Sequence, residues 1–417
     1  MLRRTAIAIS MVWVLAGTAG SARAQDGATQ KAHPARTRVV ILGVDHSTQL
    51  VSRSNEAGML TVFIEKLRPA AICIERTPEL TERRDFYEFT YEVQGIVLPY
   101  VATHPTDLCP VDWMPTVGDQ QLVFGSDLDQ PPEIRPKSGF QTFMSFPDTN
   151  TLRSDIFAAD DSAMTNPIRR HANTPASHAD QDFPRRLYLY RTFMQSRHIR
   201  AVAKAHRGQT VLVVIGYFHK PDLENILSQD STIELVNPSA IGHPTQQDAD
   251  RAMTVSQHVA VLSFNLLGRQ ADTRNVDWAW VEQNLAAVER TAPSAEARLF
   301  RTRLDQLTGK LSASGAITRY QSLVNETSVE LQFDWTGVKD DARLDSYFDP
   351  FGNLTVRQRA MVELARAQRA SGASNDATKT LDRLAGELGA RKARQLYAYV
   401  SDYLPMGNSA TTPHGIQ

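Results

Sequence analysis

Three short runs constrain this chain most: RVVILG (38–43), AAICIE (70–75) and TVLVVIG (210–216). They are apolar at almost every position instead of alternating, which marks strands buried on both faces. A strand that keeps neither face in water needs helices packed on each side of its sheet. The sequence between the runs supplies them. Helical patterns cover NEAGMLTVFIEKLRP (55–69), ending at Pro69, the charged ELTERRDFYEFTYEVQ (79–94), and PDLENILSQ (221–229). Another spans 185–208, where Leu187, Tyr190, Met194 and Ile199 trace an apolar face that Gly208 ends. LCPVDW (108–113) and STIELVNP (231–238) read as further strands. Alternation of strands and helices predicts an α/β fold with a mainly parallel sheet flanked by helices.

Two stretches stand outside this alternation. Residues 114–183 are rich in Pro, Asp, Ser, Thr and Asn and too long for a plain connection, so they read as an inserted subdomain or a lid. From about 246 to 417 the apolar spacing becomes mostly helical. Trp278, Val281 and Leu285 share a face, as do Leu381, Leu384 and Leu388 behind an N-cap at Asn375. SVELQFDW (328–335) interrupts this region as an expected strand. The α/β part is thus expected over 37–245, with a mostly helical C-terminal part over 246–417.

The N-terminus carries Arg3 and Arg4, the apolar AIAISMVWVLAG and then Ala22-Arg23-Ala24, the three regions of a secretory signal peptide. Residues 1–24 are expected to be removed, leaving a polar tether at 25–36 and an exported protein, periplasmic or secreted. No later segment reaches the roughly 18–20 apolar residues a membrane span needs. The formal net charge of −1 gives no basic face for a nucleic-acid partner. Cys73 and Cys109 are the only cysteines, too few for a disulfide framework. They read as residues on neighbouring strands, either as buried thiols or as a single bridge.

Ligands bind a parallel sheet in the crevice beyond the carboxyl ends of its strands. His46, Glu75, Asp112 and His219 each follow an apolar run, so each is a site candidate. The two histidines share the form Gly-x-x-His. With 22 glycines and 11 histidines in 417 residues, chance gives roughly 0.6 such matches. Two, each directly after a buried-type run, point to a shared site. Each glycine would let the backbone turn sharply or approach another group closely. Two imidazoles and a carboxylate can hold a divalent metal with open positions for water. The same groups can also work without metal, a histidine acting as general base and Glu75 orienting it. Arg191, on the helix before the second motif, is placed to bind a carboxylate or an oxyanion. Asp45, Asp112 and Tyr217 are candidate supporting residues around this set.

At these residues the chain resembles the TraB/PrgY/GumN and Tiki family, within a superfamily that includes erythromycin esterases and ChaN-like haem-binding proteins. The matching elements are ILGVDH (41–46), AICIE (71–75), the arginine of YRTFMQSRHI (190–199) and VVIGYFH (213–219), in that order. Tyr190-Arg191-Thr192 stands where GumN-like members often have Glu-Arg-Asn. The resemblance implies an α/β fold and places His46, Glu75, Arg191 and His219 in an active site. The metal it implies is a divalent ion such as zinc, manganese or cobalt, bound by His46, Glu75 and His219, with haem as the alternative cofactor. The expected function is hydrolysis of an ester or amide bond in a small-molecule or peptide substrate. A ligand-binding envelope protein and a non-catalytic family member are the alternatives.

Overall fold

The computed structural model describes residues 35–404 apart from 126, 131–132, 135–153, 274, 292 and 338–339. The expected signal peptide, and all but the last two residues of the tether, lie outside the described residues, as does the middle of the 114–183 stretch.

Five strands form one parallel sheet: β1 (Thr37–Val44), β2 (Ala71–Ile74), β3 (Asp107–Pro110), β4 (Thr210–Gly216) and β5 (Ile233–Val236), in the order β3-β2-β4-β1-β5. The unbroken apolar runs therefore form the strands they predict. β4 lies between β2 and β1, with Val213 level with Ile41 on one side and Cys73 on the other. Because side chains alternate across the sheet, each strand feeds two cores. On one face Val40, Leu42, Ile72, Ile74, Leu212 and Val214 pack with Leu60, Phe63 and Ile64 of α1 (Ala57–Leu67). On the other Val39, Ile41, Val211, Val213 and Ile215 meet Ile199 and Ala203 of a long helix, α3 (Phe183–Ala205), and Leu223 and Leu227 of α4 (Lys220–Leu227). Between β3 and α3, the described part of the insertion includes α2 (Ser162–Asn173).

Cys73 and Cys109 face each other across β2 and β3 at the same register, both as free thiols. Cys73 is buried and Cys109 half-buried.

Three sequence expectations are corrected. The segment 79–94 is not one helix: a short helix at Pro78–Glu82 ends, Arg84 turns left-handed at φ 56°, and helical structure resumes at Tyr91 with a π-helical turn at Val93–Val97. Buried Arg76 explains the break, since its Nε donates to Asp85 O at 2.5 Å and its guanidinium lies 3.9 Å over the Tyr87 ring. Residues 328–335 form no strand. Phe333 and Trp335 instead anchor an irregular segment against the helical part, and Leu331 O accepts from Val356 N. The helix at Ser374–Glu387 is preceded by Ala373, so Asn375 lies inside its first turn and does not cap it.

The C-terminal region is helical, with six helices from Trp278–Thr291 to Ala390–Tyr403 among the described residues. It does not stand apart from the sheet. In α5 (Val255–Leu262) and the π-helical turn Ser263–Leu267 that continues it, Ala260, Val261 and Phe264 enter the sheet's core. Val259, Leu262 and Leu266 enter the helical one. No helix among the described residues is long and apolar enough to cross a membrane.

Candidate active site

The carboxyl ends of β1, β2, β3 and β4 lie side by side, and the residues just beyond them converge on one carboxylate. Glu75 follows β2. Its Oε1 accepts from Arg191 Nη2 at 2.7 Å and stands 3.5 Å from His219 Nε2; its Oε2 accepts from Gly216 N at 2.7 Å and stands 3.8 Å from His46 Nε2. One carboxylate therefore bridges both imidazoles. Burial alone would raise its pKa, but Arg191, then His219 and His46, hold Glu75 well below the usual carboxylate range.

The glycines of the two motifs make room for this convergence. Gly216 is at φ −49°, so no left-handed turn is involved. A Cβ there would stand 3.1 Å from both Glu75 Oε2 and His46 Nε2. At Gly43 a Cβ would come within 2.8 Å of Ala159 Cβ and 3.0 Å of Tyr217 Cα. Close approach, not turning, is what these positions require.

Arg191 is pinned from below. Its Nε and Nη2 donate to Asp112 Oδ1 and Oδ2 at 2.9 and 2.6 Å, a two-point pairing that fits the planar guanidinium. Burial works against the guanidinium's charge, and Asp112 and Glu75 outweigh it, so its pKa is raised. Gln195 Nε2 and Tyr87 Oη also donate to Asp112, at 2.8 and 3.4 Å. Arg191 Nη1 faces His219 Nε2 at 3.4 Å.

The two histidines are held differently. His219 Nδ1 is 2.7 Å from Thr192 Oγ1, whose hydroxyl donates to Tyr188 O at 3.0 Å. With that proton spent, Nδ1 is the donor and Nε2 of neutral His219 carries the lone pair. The Tyr188 ring stacks on the imidazole at 5.4 Å. His46 Nδ1 instead lies 2.6 Å from Glu92 Oε1. Burial would lower the His46 pKa, but Glu92 beside it outweighs this, with Glu75 and Asp45 adding, and pushes it up to about 9. His46 is the more open of the pair, with 14% of its side chain exposed.

Asp45 and Tyr217 do not join this network through the contacts just described. Asp45 contributes charge beside His46, and Tyr217 packs its ring on Phe218 at 4.5 Å. Sequence reasoning missed Thr192, which fixes His219 Nδ1, and Glu92. Glu92 lies inside a charged segment read as one helix and follows no strand. Its signal was the aromatic pattern DFYEFTY, which carries Tyr87 and Phe89 to the site wall.

The described parts of the insertion flank this edge. Asp129 pairs with Arg76, directly after Glu75, at 2.6 Å, and Asp160 pairs with Lys220, directly after His219, at 3.0 Å.

The arrangement does not fit a resident metal between Glu75 and His219. Both Glu75 oxygens are already engaged, one by a guanidinium placed where an ion between Glu75 and His219 would sit. Among the described residues no three His, Cys, Asp or Glu side chains form a metal-binding group. His219 Nε2, between Arg191 and Glu75, has no open face for a macrocycle.

Fold and site together define an α/β protein with a two-histidine, carboxylate-bridged site at the carboxyl edge of a parallel sheet. Comparison with family models, curated proteins and solved structures returns no match for the chain, so the resemblance to the TraB/GumN and Tiki family rests on the motif residues.

Proposed function

We propose that the protein is an exported hydrolase that cleaves an ester or amide bond by activating water without a metal. The observation that carries this reading is Glu75 set between two imidazoles, with each of its oxygens nearest a different histidine Nε2. His219 is the general base. Its Nε2 lies 3.4 Å from Arg191 Nη1 and 3.5 Å from Glu75 Oε1, both long contacts, and a water can take the place of the Arg191 one. As that water attacks the carbonyl carbon its proton passes to His219 Nε2, and Glu75 Oε1 stabilises the imidazolium formed. Arg191 Nη1, the donor not taken by Asp112 or Glu75, faces the same point and serves the developing oxyanion. His46 closes the site on the other side of Glu75.

The test is a panel of aryl and alkyl esters and peptide anilides, assayed before and after dialysis of the mature protein against a chelator. Hydrolysis of at least one class is expected, with the same rate after dialysis. Activity that disappears with the metal and returns on its addition would contradict the metal-free form, and no turnover across the panel would contradict the hydrolase reading.

A further inference from the structure

The two imidazoles flank one carboxylate but have different partners at Nδ1, and hydrolysis needs two different proton carriers. One group must take a proton from water and another must give one to the leaving atom. Thr192, through its hydroxyl chain, leaves His219 with a bare Nε2. At His46 Nδ1 the partner is instead the Glu92 carboxylate, with Glu75 beside Nε2, and two carboxylates favour the imidazolium, whose Nε2 then carries a proton to donate.

Glu92 is built in, not adventitious. It is 1% exposed and begins the π-helical turn Val93–Val97, a rare backbone form found often at functional sites. Its Oε2 is buried and makes no hydrogen bond with the described residues, so its charge bears mainly on His46. The surrounding loop is fixed. Ser47 Oγ donates to Phe89 O at 2.9 Å and Gln94 Nε2 to Tyr87 O at 2.7 Å, and the Phe89 ring touches both His46 and Tyr347.

We propose that Glu92 is a positioning residue that makes His46 the acid of the site, orienting its Nε2–H toward the leaving atom while His219 serves as base. This rests on the hydrolytic reading above. In the cleavage of an ester, water's oxygen bonds to the carbonyl carbon and its proton goes to His219 Nε2. The bond from carbon to the leaving oxygen then breaks with its electron pair on that oxygen, which takes the proton from His46 Nε2. An acid and an alcohol leave, His219 returns its proton to solvent and His46 recovers one.

The experiment uses a series of substituted phenyl acetates, from p-nitrophenyl to p-methoxyphenyl, with wild-type protein, Glu92→Gln and Glu92→Asp. An acid matters most where the leaving oxygen is most basic. Glu92→Gln is therefore expected to lower kcat about 100-fold on the p-methoxyphenyl ester. The p-nitrophenyl ester should lose far less, with KM unchanged throughout, and Glu92→Asp should recover part of the loss. Proton NMR gives a readout independent of turnover: the His46 Nδ1 proton, bound to a carboxylate, should resonate far downfield in wild type and move back in Glu92→Gln. An equal loss across the ester series, or a downfield proton that survives Glu92→Gln, would overturn the assignment of Glu92 while leaving the hydrolytic reading standing. A wild-type protein that shows this proton but turns over none of the esters would overturn the acid role and the hydrolytic reading together.

Discussion

At the scale of residues, the site is a set of buried charges that stabilise one another. Glu75, Asp112 and Arg191 are each tolerable inside the protein only because the others are present, since an unpaired buried charge costs about 3–5 kcal/mol. The same economy is absent at Glu56, which fixes the start of α1 to the C-terminal region through Trp280 Nε1 at 2.9 Å and also accepts from Gln246 Nε2. No cation offsets its burial in these contacts. Burial, with Asp250 adding, pushes Glu56 up to about 7. The unfolded carboxyl titrates near 4.5. The folded state thus keeps a proton that the unfolded state releases, and stability falls as pH rises from 4.5 toward 7. Glu56→Gln stays neutral and keeps an acceptor for Trp280. It is expected to match wild type in urea unfolding at pH 4 and to exceed it at pH 8 by roughly 3 kcal/mol. An unchanged difference between the two pH values would contradict this.

At the scale of elements, strands were legible and their surroundings less so. RVVILG and TVLVVIG could only be central strands, because nothing but a sheet covered on both faces hides such runs. Their position then brought His46, Glu75, Asp112 and His219 to one edge. Glu92 was hidden because the break in 79–94 depends on Arg76 folding back from just ahead of the segment onto Asp85 and Tyr87, a contact that helical periodicity does not reveal. The expected strand at 328–335 failed for a related reason: alternating apolar residues can pack on helices without a neighbouring strand, as Phe333 and Trp335 do. The strand end after β4 supplies a sharp test. Gly216→Ala sets a methyl group against Glu75 Oε2 and His46 Nε2, so it is expected to cost about 1–3 kcal/mol and to abolish hydrolysis in a protein that still folds. Thermal unfolding and ester turnover measured on the same sample check both halves, and full activity would contradict the packing account.

At the scale of the whole molecule, the C-terminal region helps to build the site wall. Phe264, Tyr347 and Phe348 share the core of β1 and α1, and the Tyr347 ring packs, tilted, 5.7 Å from the Phe89 ring that touches His46. Sequence patterning separates a sheet-forming half from a helical half because periodicity is local. It carries no sign that α5 is common to both cores, since an amphipathic stripe does not say which partner it meets. In the proposed mechanism the two histidines drive one hydrolytic reaction from either side of Glu75. The most direct measurement is kcat/KM on p-nitrophenyl acetate for metal-free wild-type protein beside His219→Ala, with circular dichroism showing both folded. A loss of at least about 100-fold is expected in His219→Ala. Equal rates for the two proteins would contradict the mechanism.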